Sequence, residues 1–329
     1  MATTVVGAIG SGHCEGMNDY DVAIVGGGAA GLSAALVLSR ARRLVAVVDA
    51  GEPRNAPAAH MQGFLGSDGL PPRDLLAAGR REVSSYGGTL IDRRVTRIEP
   101  SGPEGGNPLF QVVLDEGAPL RARRLIVTTG LRDELPDVPG VRERWGRDLL
   151  HCPYCHGHEV RDQPLGVLGG SSEAVMHAHL VRQWSEDVVY FSRGVGLTGE
   201  QREQLAVRHI RVVETAVTRL VVEADHLTGV ELETGEVVPR TAVFVRPGFV
   251  PHDDLLTGLG CATENTGWVR VDATGRTSVP GVWAAGNIVN PRAQVITAAG
   301  EGSAAAIAVN NDLVEEDLRV AVATSRVPH

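Results

Sequence analysis

Lysine is missing from this sequence: all 31 basic residues are arginine, set against 40 acidic ones for a net charge of −9. A dispersed acidic balance excludes the basic footprint that nucleic acid or an anionic membrane surface would need. Aromatic residues are scarce at 4%, while glycine reaches 40 residues. That balance suits an α/β protein with tight strand–helix turns better than a β-sandwich. No apolar run reaches the roughly 18 residues of a membrane span. The opening MATTVVGAIGSGHCEG lacks the basic n-region and long apolar core of a signal peptide. It predicts a flexible extension over residues 1–19, with Met17 an alternative start, and a cytoplasmic protein. Cysteine is also sparse, at Cys14, Cys152, Cys155 and Cys261. Without a secretion signal, structural disulfides are not expected. Cys14 reads as a tail thiol and Cys261 as a small semi-buried residue.

What is present is ordered along the chain. The 329 residues, 43% of them apolar, suggest two domains at roughly 100–200 residues each. Residues 20–33, YDVAIVGGGAAGLS, read as a buried parallel strand, a glycine-rich turn and a helix, and LVAVVDAG closes a βαβ unit. A helix near Leu75–Tyr86 and strands at Phe110–Asp115 and Arg124–Thr129 follow. A second strand–turn–helix starts at LGVLGGSSEAVMHAHL, and the strand DVVYFSR comes next. The last segment reads as strand, loop and long alanine-rich helix. Pro136 and Pro139 mark a crossing between domains.

Gly26, Gly28 and Gly31 form GxGxxG between strand and helix. The first glycine permits the tight turn, the second lets a pyrophosphate approach the backbone, and the third lets helix and strand pack closely. The helix N-terminus offers free N–H groups and partial positive charge to phosphates. Asp49 ends the next strand, where a carboxylate can accept from ribose hydroxyls. The motif does not by itself choose FAD over NAD.

HCPYCHGHE carries CxxC at Cys152 and Cys155, with His156 following and His151 and His158 close by. Two cysteines at this spacing can close a small disulfide, and a helix start lowers a thiolate pKa. An imidazole can take a proton from an incoming thiol or return one to a leaving thiolate. Alternatives are a c-type haem attachment, a zinc site using Cys152, Cys155, His156 and His158, or a plain pair of structural thiols.

GGGAAG, then TTG, HCPYCHG and AAGN before a helix, in this order, resemble the low-molecular-weight thioredoxin reductase group of flavoproteins, over about residues 20–322. The resemblance implies an α/β fold of two Rossmann-like dinucleotide-binding domains, the second inserted in the first. Residues 20–140 plus 278–322 would bind FAD, and 141–277 would be the NAD(P)-like insert carrying the CxxC. It further implies that Thr129 and Gly130 stand beside the FAD, Gly286 and Asn287 near its phosphates and ribityl chain, and Gln294 at the flavin pyrimidine edge. Cys155 would face the flavin, Cys152 would exchange with substrate, and His156 would stand where these reductases carry an acid/base Asp. A homodimer is implied as well. No metal is expected, since Cys152, Cys155, His156 and His158 are crowded into seven residues.

Several positions depart from that pattern. Ser171 replaces the middle glycine of the second turn, Gly169 to Ala174, so a pyrophosphate there would meet a Cβ. Ser192-Arg193-Gly194 keeps one arginine at most of a 2′-phosphate clamp, unless Arg182 rebuilds it. Asn287, His156 and Pro53-Arg54-Asn55 resemble instead the branch containing the dithiol oxidases of holomycin and gliotoxin biosynthesis, and Asn55 joins the cofactor-binding set on that ground. The reading is an FAD-dependent oxidase that closes a disulfide in a small-molecule dithiol and passes electrons to O2, giving H2O2. The rival is an NADPH-dependent thioredoxin-type reductase. A ferredoxin-fed reductase and a flavin-bearing sensor or dithiol-sequestering protein are further alternatives.

Overall fold

The computed structural model describes residues 18–103, 105–171 and 173–326. Cys14, Met17 and most of the expected N-terminal extension lie outside the described residues. Strand β1 (Asn18–Val25) nevertheless takes in residues 18 and 19, because they stand in parallel register with Leu120 and Arg121 of a neighbouring strand.

The first sheet has seven strands. β1 leads through α1 (Ala29–Arg40) to β2 (Val45–Asp49). α2 (Pro72–Ser85) precedes β3 (Thr89–Asp92), β4 (Val95–Pro100), β5 (Phe110–Leu114) and β6 (Leu120–Val127). The order is β3-β2-β1-β6-β5-β4. β1 pairs with β2 and β6 in parallel. Val22, Ala23 and Ile24 are fully buried, as expected for a strand covered on both faces.

β7 (Leu131–Glu134) then carries the chain away, through α3 (Val141–Arg144), to the second sheet. That sheet is built from β8 (Leu149–Leu150), β9 (Leu165–Leu168), β10 (Val188–Phe191), β11 (Arg211–Val213) and a later strand, β15 (Ala242–Val245). Its order is β11-β10-β9-β15-β8, all parallel. α4 (Pro153–His156), α5 (Glu173–Val181) and α6 (Gly199–Val207) lie between its strands in the chain. An antiparallel meander of β12 (Val217–Glu223), β13 (His226–Leu232) and β14 (Val237–Pro239) shares a buried cluster with one face of this sheet.

The return path runs through β16 (Gly248–Pro251), antiparallel to β7, and the short α7 (Asp254–Gly258). β17 (Val282–Ala284) rejoins the first sheet beside β6. α8 (Val295–Ser325) closes the chain. Its alanines have a packing reason: a Cβ at Gly302 would sit 2.0 Å from the Ala30 carbonyl oxygen. Ala298, Ala305 and Ala306 bury into the same cluster as Ala30, Ala34 and Leu38 of α1. Only small side chains let two helices approach this closely.

α8 is also tied by charge. Arg124, 2% exposed, donates to Asp312 and Glu316 at 2.6 Å each. Arg123 reaches Asp21 and Glu316, and Arg43 reaches Asn310 and Asp317. Cys261 is buried as a free thiol beside Thr277, deeper than its sequence context suggested. Among the described residues, no helix is long and apolar enough to cross a membrane.

Candidate active site

The first turn is shaped by contacts that a Cβ would break. At Gly26, φ is +104° and a Cβ would lie 2.6 Å from the Thr128 carbonyl oxygen; at Gly31 it would lie 1.9 Å from the Gly26 oxygen. Gly28 has nothing within 4 Å of its Cβ position. So Gly26 and Gly31 are required by packing, and Gly28 leaves an open approach for a phosphate. Gly28 is also the N-cap of α1 with no side-chain cap, so first-turn N–H groups stay available to an anion. Asp49 Oδ1 accepts from the Gly27 N–H at 3.0 Å, which fixes the carboxylate over the turn.

This turn opens into a cavity of about 380 Å³ between the two sheets. Every cofactor residue expected from the sequence except Gly31 lines it, and so do Cys152, Cys155 and His156. Gly31 is absent because it serves the helix–strand packing behind the turn.

Cys152 and Cys155 form a disulfide with Cα atoms 5.2 Å apart, inside the normal range for such a bridge. As a disulfide the pair offers no thiolate to zinc. Cys152 is the N-cap of α4, and its carbonyl accepts from the N–H groups of Cys155 and His156 at 3.1 Å. Gly157 must be glycine, since a Cβ there would lie 2.7 Å from the Trp184 ring.

Two imidazoles flank the pair. His156 is held below its ordinary pKa by burial, with Glu159 opposing. His151 is also lowered by burial, opposed mainly by the Val245 carbonyl, which its Nδ1 meets at 3.2 Å. A carbonyl only accepts, so Nδ1 carries the proton and the neutral ring keeps its lone pair on Nε2. Both rings are therefore neutral bases near neutral pH. His158 is exposed and outside the cavity lining.

The far wall comes from the end of the chain. Asn287 Nδ2 donates to the carbonyls of Asn290 and Ala293 at 3.0 Å each. An aspartate could not make either bond, which gives a physical reason for the amide here. Gln294 is the N-cap of α8, without a side-chain cap, so the helix start faces the cavity with free N–H groups. Thr129 donates its hydroxyl to the His252 carbonyl at 2.7 Å, and Gly130 has φ +70°. Arg54, to which the sequence assigned no role, also lines the cavity.

The second turn is built differently. Arg193, at φ +52°, donates to the Gly169 carbonyl at 3.2 Å. A Cβ at Gly170 would lie 3.1 Å from Arg193 Nη1, so the guanidinium lies over the turn. Arg182 does not join it; its guanidinium donates to the Arg208 and Ser185 carbonyls. Glu173, at the start of α5, has its carboxyl held below the usual range by its own main-chain N–H and by Ser171. A carboxylate thus stands where a helix N-terminus would otherwise receive phosphate. Ser172 lies outside the described residues.

Comparison with known proteins gives the family. The model of the pyridine nucleotide-disulphide oxidoreductase family matches residues 20–302. The crystal structure of HlmI superposes with a TM-score of 0.91 at 56% identity, covering 96% of this chain and 98% of that one. The crystal structure of TrxB from Bacillus anthracis gives 0.85 at 32% identity, covering 91% and 99%. The thioredoxin reductase sirT of Leptosphaeria maculans is 30% identical over 91% of this chain and 96% of its own length. The chain belongs to the pyridine nucleotide-disulphide oxidoreductase family and is a thioredoxin reductase-like flavoprotein oxidoreductase whose cofactor is FAD.

Proposed function

We propose that the protein is a dithiol oxidase, closing a disulfide in a small-molecule dithiol and delivering the electrons to O2. The observation that carries this reading is the second turn. With Arg193 on the Gly169 carbonyl, Ser171 at the pyrophosphate approach and the Glu173 carboxylate at the helix start, a nicotinamide dinucleotide would meet steric and charge opposition. With nicotinamide opposed at that turn, a substrate dithiol is the electron source that the Cys152–Cys155 disulfide itself can accept from.

His156 accepts the proton of one substrate thiol. The thiolate attacks Sγ of Cys152; the Cys152–Cys155 bond breaks and Cys155 leaves as thiolate. The second substrate thiolate then attacks the substrate sulfur held on Cys152. The product disulfide departs, leaving the cysteine pair reduced by two electrons. FAD, when bound, supplies two-electron acceptance as that pair closes again and reoxidation by O2 to give H2O2. The retained second α/β unit and the names of the relatives favour the rival, an NADPH-dependent thioredoxin-type reductase.

Anaerobic stopped-flow separates the two. A small dithiol such as dithiothreitol should bleach the flavin band within seconds, NADPH should leave it unchanged, and air should restore it. Fast bleaching by NADPH would overturn the oxidase.

A further inference from the structure

The segment after β2 reaches out of the first sheet and grips the path to the second. Arg54 Nε and Nη2 donate to Asp133 Oδ2 and Oδ1 at 2.7 and 2.6 Å. The Arg54 side chain is 27% exposed and that of Asp133 only 7%. A planar, bidentate guanidinium–carboxylate pair fixes orientation as well as distance. The same guanidinium lies 5.3 Å over the Phe249 ring, within cation–π range, and its Nη1 is 3.5 Å from Asn287 Oδ1.

These partners lie on different elements. Asp133 is on β7 and Phe249 on β16, the antiparallel ribbon through which the chain leaves the first sheet and comes back. Three residues on, Pro57 packs on Gly146, where a Cβ would lie 2.8 Å from the proline Cβ. Phe249 carries the contact onward: the His151 ring stands edge-on to it at 5.3 Å, and His151 is bonded to Cys152. Arg54, Phe249 and His151 thus form one chain of contacts from the cofactor-binding unit to the redox pair. A two-stranded connection is a natural hinge between packed units, and Arg54 holds both of its strands.

We infer that Arg54 is a positioning residue: its pairing with Asp133 and its contact with Phe249 clamp the β7–β16 ribbon and hold the Cys152–Cys155 pair in place against the flavin. The inference needs only that cysteine pair and flavin exchange electrons, which either direction of the reaction requires.

The test uses the FAD-loaded enzyme in three forms, Arg54→Met, Arg54→Met with Asp133→Leu, and Arg54→Lys. The double variant removes the uncompensated buried carboxylate that the single change leaves. Dithiothreitol bleaching under anaerobic conditions should slow at least tenfold in both Met variants and by less in the Lys variant, because displacements near 1 Å cost up to about 100-fold. Reduction by dithionite, which bypasses the disulfide, should be unchanged, as should FAD content. Amide exchange over residues 131–134 and 248–251 should speed up at least tenfold. If the Met variants do not fold, the Lys variant decides by the same two readouts. Wild-type bleaching and exchange rates with FAD bound would overturn the clamp. So would loss of FAD with unchanged bleaching per bound flavin, which would place Arg54 in cofactor binding. Amide exchange needs no dithiol. If wild-type enzyme is not bleached by dithiothreitol, the oxidase reading fails while exchange still decides the clamp.

Discussion

Replacing His177 with leucine should remove one defined share, about 2 kcal/mol between pH 7.5 and pH 5, of the protein's loss of stability in acid. His177 lies on α5 behind the redox pair, 7% exposed, with its ring 6.0 Å from that of His151 and 6.1 Å from Phe244. Neither ring nitrogen makes a well-formed hydrogen bond among the described residues. Burial, helped by the charges of His151 and Arg246 and opposed only by the His151 main chain, pushes its pKa from 6.5 down to about 4. The native state therefore resists protonating this ring while the unfolded chain accepts the proton at 6.5. Stability is complete above pH 6.5 and falls as pH drops toward 4. At 1.36 kcal/mol per pKa unit the full loss is about 3 kcal/mol, of which about 2 kcal/mol is gone by pH 5. Leucine has similar volume and no proton to gain. Urea unfolding of both proteins at pH 7.5 and pH 5, in equal FAD excess, gives the double difference in which cofactor linkage and all other titrating groups cancel. The wild type should lose about 2 kcal/mol more than His177→Leu across that interval. Parallel losses would show that the ring is not held neutral, and the reasoning from burial would fail.

His156→Gln should slow dithiol-driven bleaching by about 100-fold or more, the usual contribution of a positioned base. In the wild type the acid limb of that rate should lie below pH 6.5, because burial lowers the His156 pKa, and it should change in the variant; an unchanged profile would assign the limb to His151. Glu316→Gln leaves Arg124, 2% exposed, as a buried cation with one fewer carboxylate. Because Asp312 still holds Arg124 at 2.6 Å, the change should cost about 1.5–3 kcal/mol in urea unfolding, the worth of a charge-assisted hydrogen bond, and a loss under 1 kcal/mol would show that Asp312 alone suffices.

The glycine-rich turn and the cysteine pair were legible in the linear sequence because each is a contiguous stretch whose steric and chemical needs are met by its own residues. Gly26 and Gly31 must lack a Cβ for reasons confined to one strand–turn–helix, and a CxxC closes its disulfide across one helical turn. The helix at α2, the doubled strand–turn–helix and the long final helix followed from local pattern in the same way. The meander β12–β14 did not, since its short strands alternate weakly and are defined by packing against the second sheet.

The long-range charge pairings were not legible in the sequence. Arg54 meets Asp133 across 79 positions and Arg124 meets Glu316 across 192; the Pro53-Arg54-Asn55 stretch marks a resemblance but does not say which carboxylate Arg54 meets. The sequence alone also left open whether Arg182 joined Arg193 at the second turn, and only the folded chain shows Arg182 spent on other carbonyls. By itself the sequence determined the fold class, the dinucleotide turn and the redox pair, because those depend on backbone conformation and neighbouring side chains. The tertiary structure decided which distant charges meet, what covers the second turn and how His151 and His177 are buried, because contact and desolvation exist only once separate segments are brought together.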